Sequence, residues 1–472
     1  MKKFILTVCF YCLVSVQVIA QQLSPPLLGE RELLDIVQRY HPVAKKARLS
    51  VEQAGAAILS ARAGFDPVAG ISLSEKTFSG TTYYHHLQPE LRVPLWYGID
   101  IVTGIEQLDG ERINPESTIG KASYAGIVIP LAKNLLFDKR RAALKTAKIF
   151  YSLSLADQRS QLNDLLLQAT KAYWHWAAWH AQYQVIAEAV LLNEKRLHLI
   201  RQAVLQGDRP ALDTIEAETQ LQAFRLQQTG ALQELENARL ELSVYCWNDH
   251  GDPYELPETV EPDLNLLRQQ PAMQAIPSLD SLLTLLPVTH PALQQYTFKL
   301  QALAVERKMK FQELLPSLDF KYFQLGKGYN LLQAKSGPLF SNNYRYGVSF
   351  SMPLRLSRGR AEYRTARLKI QEAKLELDLK MLTLQNKVKA GYNTALALLS
   401  QAAILEKACD NYLRLQKGEE LKFLNGESSL FLVNSREAKT LEAQQKKIKT
   451  TADFFAARSS LYWATGTLPG DF

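Results

Sequence analysis

The side chains able to do chemistry are scattered along this chain rather than gathered. Its eight histidines are His41, His85, His86, His175, His180, His198, His250 and His290. None falls at a metal-ligand spacing with a partner. His175 and His180 are five residues apart and do not share a helix face, so they read as structural. His85-His86, beside Tyr83-Tyr84, reads as a loop or a rim. No GxxxxGK[ST], GxGxxG or GxSxG motif occurs, so the sequence offers no phosphate cradle and no nucleophile elbow. Cys246 sits at a helix end beside Trp247 with no evident base. The expectation is no catalytic residue, no cofactor and no metal site, hence no enzyme. The basic clusters Lys139-Arg140-Arg141 and Lys446-Lys447-Ile448-Lys449 lie inside helical patterns without interleaved aromatics, so no nucleic acid is expected as a partner.

What must be positioned, then, is a wall or a scaffold. The 472 residues are 47% hydrophobic and 22% charged, which excludes a mostly disordered chain. Residues 1–20 read as a secretory signal peptide: Lys2 and Lys3, an apolar run from Phe4 to Val16, then Val18-Ile19-Ala20. A retained anchor is the competing reading, but the run is short for a span. Cys9 and Cys12 would leave with the signal, so the exported protein keeps Cys246 and Cys409 without a disulfide framework. No later window is apolar enough for a membrane helix. Any later membrane contact must use strands, and strands cross hydrocarbon only in a closed barrel.

Self-similarity organises the rest. A step of 249 carries His41-Pro42 to His290-Pro291 and Pro67 to Pro316. A step of 219 pairs Arg141 with Arg360, Tyr173 with Tyr392, Gly207 with Gly426, Glu218 with Glu437 and Arg239 with Arg458. The chain is read as a tandem duplication: unit one at 21–247, a Pro-rich connector at 248–289, and unit two at 290–472. Each unit opens with a helix and continues with alternating, strand-like text, at 68–130 in the first and 317–353 in the second. Pro67 to Pro130 spans 63 positions and Pro316 to Pro353 spans 37, so unit one carries 26 more. The excess holds two further strand candidates, near 83–93 and 97–108, which either widen a barrel or extend a loop. Tyr83, Tyr84, Trp96, Tyr97, Tyr124, Phe320, Tyr322, Phe323, Phe340, Tyr344, Tyr346 and Phe350 all fall in strands or their loops, as membrane-interface girdles or a β core would require.

The period then changes. Apolar residues at 155, 162, 166, 169, 173, 176, 183, 187, 190, 197 and 204 make a coiled-coil-like seam. A helix from about 138 to 206 would be roughly 100 Å long at about 1.5 Å per residue. Each rod stops at a glycine turn, Gln206-Gly207-Asp208-Arg209-Pro210 or Asn425-Gly426-Glu427-Ser428-Ser429, and a return helix follows. The two helical hairpins occupy 131–247 and 357–466. The aromatic group Tyr173, Trp174, Trp176, Trp179 and Tyr183 reads as inter-helix packing. About four strands per chain cannot close a barrel, so several copies must share one. Three would close a barrel and surround a tube with twelve rods and returns.

The signal peptide, the duplicated helix, strand pair and helical hairpin, the His-Pro near each unit's start, and strands ending in Ile129-Pro130-Leu131 and Met352-Pro353-Leu354 resemble the TolC-like outer-membrane efflux family. The resemblance implies an α+β membrane protein: a homotrimeric outer-membrane β-barrel in contact with lipid, continued by a long periplasmic α-helical barrel. It implies a passive exit duct for a tripartite efflux pump or a type I secretion system, docked to a periplasmic adaptor and an inner-membrane pump or ABC transporter. The Gly207 turn with Asp213 six residues on resembles that family's tip. Gly207, Asp208, Asp213, Gly426, Glu427, Ser428 and Ser429 are therefore the candidate entrance and adaptor-docking residues. Asp208, Asp213 and Glu427 either supply acidic side chains at an opening or are plain solvated tip polars and helix N-terminal carboxylates. Where the family often carries acidic residues in the second tip, this chain has Leu432 and Ser435, so no cation-binding ring is expected there. The alternative function is an exported coiled-coil scaffold with a small soluble sheet. A periplasmic adaptor is a third reading, disfavoured because it would show one hairpin rather than two copies.

Overall fold

The computed structural model describes residues 27–114, 116–269, 271–272, 276–329, 340 and 342–468. The expected signal peptide at 1–20, with Cys9 and Cys12, lies outside them. In chain order the elements are β1 (Leu27–Leu28), α1 (Glu30–Tyr40), α2 (Pro42–Arg62), β2 (Val68–Phe78), β3 (Thr81–Pro94), β4 (Asp100–Asp109), β5 (Gly120–Pro130), α3 (Lys139–Leu205) and α4 (Ala211–Ser243). There follow β6 (Glu261–Pro262), α5 (Asn265–Arg268), α6 (Leu279–Thr289), α7 (Pro291–Gln312), β7 (Ser317–Lys327), β8 (Tyr344–Ser351), α8 (Ser357–Leu424) and α9 (Leu430–Thr465). No helix among the described residues is long and apolar enough to cross a membrane.

The chain forms two compact bodies. One, the helical body, takes residues up to Lys46, Gln161–Thr289 and Leu384 onward; the other, the sheet body, takes Ala47–Ser160 and His290–Thr383. Each body draws on both halves of the sequence.

The sheet body holds one six-stranded antiparallel sheet in the order β2-β3-β4-β5-β7-β8. Among the described residues the sheet has six strands, where about four were expected. Residues 83–108 are not a loop: β3 and β4 sit between β2 and β5 and pair on both sides. Their turn is Leu95 to Ile99, where Tyr97 and Gly98 both take positive φ and the Leu95 amide donates to the Ile99 carbonyl. His86, expected in a loop or rim, is inside β3, paired with Leu108. A small core of Ala142, Ile149 and Val305, with Phe137, Phe298 and Met309, packs the helical segments of this body.

In the helical body the core is shared by three helices. Ile186, Val190, Leu197 and Ile200 of α3 meet Leu221 and Phe224 of α4, and Leu430 and Leu441 of α9. Burial on α3 is wider than the expected seam: Trp174, Ala177, Ala178 and Ala181 are also buried, leaving a narrow exposed stripe at Asp164, Gln168, Lys171 and His175. Trp174 stacks on Phe455 at 4.6 Å, which is packing, as the aromatic group suggested. The His-Pro near the start of unit one proves to be a cap. His41 separates α1 from α2, and its Nδ1 accepts the Val43 amide at 3.2 Å. In the sheet body His290 does the same for Ala292 at 3.2 Å, opening α7. Proline at the first helical position removes one orphan donor, and the imidazole accepts the next, so the pair starts a helix.

Candidate functional site

In the sheet body, cross-strand partners share a face, so the register sorts every side chain. One face carries Ile71 and Leu73 of β2, Leu87, Leu91 and Val93 of β3, Ile101 and Ile105 of β4, Ile127 and Ile129 of β5, Leu318 and Phe320 of β7, and Tyr346, Val348 and Phe350 of β8. The other carries Ser72, Ser74 and Lys76, then His86, Gln88, Glu90 and Arg92, then Asp100 and Glu106, Tyr124, Asp319 and Lys321, and Arg345 and Ser349.

The apolar face leaves large side chains exposed at the outer strands, and the centre of the polar face is buried. Ile71 is 77% exposed, Val348 60% and Phe350 66%, while Val102 and Tyr124, on the polar face, are 2% exposed. This inverts a soluble protein, where burial of apolar area is the stabilising term. Aromatic rings gather at both ends of the strands. Phe78 and Tyr83 meet at 6.4 Å, and Tyr322, Phe340, Tyr344 and Tyr346 form a group at the turn end; Phe65 stacks on Trp96 at 5.1 Å at the helix end.

The polar face is a connected network. His86 Nε2 lies 3.0 Å from Glu106 Oε1. The Gln88 amide donates to the Tyr124 hydroxyl at 2.8 Å, and that hydroxyl donates to Glu90 at 2.9 Å. Arg92 reaches Glu90 at 3.1 Å, and Asp100 accepts from Arg140 at 2.8 Å. The Tyr124 ring lies over Gly104, where a Cβ would meet its hydroxyl at 2.6 Å, so only glycine admits it. Charges that face one another across strands on one side of a sheet suit a hydrated lining.

In the helical body the two hairpin turns have the same construction. Gly207 and Gly426 take φ of +81° and +79°. Asp208 N donates to Ala203 O at 2.9 Å and Gly207 N to Val204 O at 3.1 Å; Glu427 N donates to Lys422 O at 2.8 Å and Gly426 N to Phe423 O at 3.1 Å. These are Schellman motifs, which need a residue in the left-handed region. Asp208, Glu427 and Ser429 are exposed. Ser428 donates to Glu419 at 2.5 Å. Asp213, in the first turn of α4, faces Arg209 at 3.9 Å, so its charge is opposed within its own hairpin.

Residues that the sequence did not single out hold the hairpins together. Arg209 donates to the Phe423 carbonyl at 2.9 Å and lies 4.0 Å over the Phe423 ring. Deeper, Arg196 of α3 donates to Glu437 of α9 at 2.6 Å, Asn193 donates to the same carboxylate at 3.0 Å, and Arg196 is 3.6 Å from Glu420 of α8. Glu437 is 5% exposed. A charged group at a buried helix position is the one signal that marks such a pair in advance. Burial holds the His41 and His180 imidazoles below the usual histidine range, favouring their neutral forms. Among the described residues no His, Cys, Asp or Glu group is arranged to hold a metal.

Residues 282–467 match the family model described as outer membrane efflux protein. A search of curated proteins found no match. Among solved structures the chain resembles the open state of the Neisseria gonorrhoeae MtrE outer membrane channel at 15% identity and TM-score 0.66, over 93% of this chain and 89% of that one. It resembles the Campylobacter jejuni CmeC outer membrane channel at 14% identity and TM-score 0.63, over 93% and 86%. It also resembles the Vibrio cholerae outer membrane protein VceC at 14% identity and TM-score 0.61, over 93% and 96%. At these identities the shared property is the fold.

Proposed function

We propose, from the premise that residues 282–467 are a segment of the outer membrane efflux protein family, that the chain is one subunit of a homotrimeric duct in the outer membrane. The duct is passive and non-enzymatic, with a long helical extension into the periplasm. It conveys small molecules or proteins outward for a tripartite pump or a type I secretion transporter.

The observation that carries this reading is the inverted sheet. Its apolar face leaves Ile71, Val348 and Phe350 exposed, its charged side chains gather on the opposite face, and its outer strands β2 and β8 each keep one unpaired edge. An unpaired edge costs several kcal/mol per backbone group in hydrocarbon, so the fold is complete only when copies join edge to edge. Leu205, Leu212, Leu424 and Phe431, exposed around the hairpin turns, supply an apolar surface for a periplasmic adaptor. An exported scaffold with a soluble sheet would bury the face that this one leaves open.

Membrane fractionation with heat-modifiable electrophoresis tests the proposal. The expected result is a sarkosyl-insoluble, trimeric band that shifts on boiling. A monomer in the soluble periplasmic fraction would overturn it in favour of the scaffold.

A further inference from the structure

We infer that the assembled barrel has eighteen strands, six from each copy, with residues 83–108 built into the membrane wall. The inference rests on the three-copy reading above and deepens it. Four observations carry it. First, the 26 residues by which unit one exceeds unit two are enough for one extra hairpin, and β3 and β4 run for 14 and 10 residues, against about 9–11 needed to cross a bilayer with tilt. Second, the pair is interior. β3 hydrogen-bonds β2 on one side and β4 bonds β5 on the other, so withdrawing them from the wall would strip partners from both neighbours.

Third, the added strands obey the same sidedness as the rest. Leu87, Leu91, Val93, Ile101 and Ile105 share the apolar face, and His86, Gln88, Glu90, Arg92 and Glu106 the polar one. A hairpin folded into an aqueous lumen would be wet on both faces and would need no such alternation. Fourth, the six strands alternate in direction, so the free edges β2 and β8 run opposite ways and can continue the antiparallel pattern between copies. Both edges are exposed along their length.

The consequence is a wide, charged lumen. At about 4.8 Å between strands and about 40° of tilt, eighteen strands give a backbone diameter of roughly 36 Å, against roughly 24 Å for twelve. Barrels of sixteen to eighteen strands enclose an aqueous channel. The added strands also bring His86, Glu90, Arg92, Asp100 and Glu106 to its wall in every copy. The cargo class that fits is bulky and hydrated rather than apolar.

Cysteine scanning of the full chain in proteoliposomes tests this with a charged, membrane-impermeant methanethiosulfonate reagent. Cys246 and Cys409 are buried and give little background. Gln88→Cys, Glu106→Cys and the control Arg345→Cys are expected to be modified. Leu91→Cys, Ile101→Cys and the control Val348→Cys are expected to stay unlabelled. Modification of Leu91→Cys and Ile101→Cys while Val348→Cys stays protected would overturn the inference and leave the channel reading intact. Modification of Val348→Cys as well would overturn both. Native mass spectrometry supplies the copy number, and any value other than three overturns the count of eighteen.

Discussion

Replacing Arg196 with alanine should loosen the tie between the helical hairpins far more than a surface ion pair would allow. Glu437 is 5% exposed and takes hydrogen bonds from Arg196 at 2.6 Å and Asn193 at 3.0 Å. Without the guanidinium the carboxylate keeps one short neutral donor and stays buried. Breaking one partner out of such a pair costs about 3–5 kcal/mol, where an exposed pair contributes about 0–1. At about 1.4 kcal/mol per tenfold change, the local opening constant of α9 near Glu437 should rise by roughly two to three and a half decades. Native-state amide exchange of the purified protein in detergent reads that quantity directly. Arg201→Ala, which removes an exposed pair with Glu218 at 3.4 Å, is the internal control and should change exchange by less than about tenfold. The double variant Arg196→Met/Glu437→Leu removes both charges together and should recover most of the protection, because the penalty lies in the unpaired charge. If Arg196→Ala exchanges no faster than Arg201→Ala, the buried latch has no energetic content and the reasoning fails.

Three further outcomes are expected. Gly207→Val and Gly426→Val force a β-branched residue into the left-handed region at +81° and +79°, at about 1–2 kcal/mol or more each; trypsin should then cut faster at Arg201 and Lys422, in the last turns before the two glycines, while the heat-shifted band persists, and unchanged cleavage would remove the turn's role. Val348→Arg on the apolar sheet face should lower folding yield in lipid by an amount equivalent to about 2–4 kcal/mol, whereas Ser349→Arg on the polar face should be tolerated; equal effects would refute the assigned sidedness. His41 is held below the usual range by burial, and its Nδ1 must be bare to accept the Val43 amide, so the unfolded chain binds more protons. That stability is present above about pH 6.5 and is lost as pH falls below it. His41→Asn keeps a capping acceptor without the titration and should flatten the fall in thermal midpoint between about pH 7 and pH 5; an unchanged slope would place the acid sensitivity elsewhere.

Periodicity made the helices and their turns legible, because apolar spacing on one rod and a glycine at its end are local facts. α3 and α8 end where Gly207 and Gly426 require. Strand number was less legible. Pro89 stands inside β3, and an interior strand proline argues against a strand when only the sequence is in view. The fold admits it because the pairing of β3 with β4 skips Pro89, while Pro89 still aligns with Ile71 of β2. The sidedness of the sheet lay in plain text, as in Ile71-Ser72-Leu73-Ser74, yet alternation is equally consistent with either face being covered. What decides it is chemistry that only the register assembles. His86 and Glu106, Glu90 and Tyr124, and Arg92 and Asp100 become neighbours on one face, and that face cannot enter hydrocarbon while its charges remain. In the proposed barrel the apolar face takes the lipid side, and the polar network lines what the sheet encloses. Arg196 and Glu437 escaped for a related reason: they stand 241 positions apart, and only the packing of α9 against α3 turns two ordinary helix charges into one buried pair.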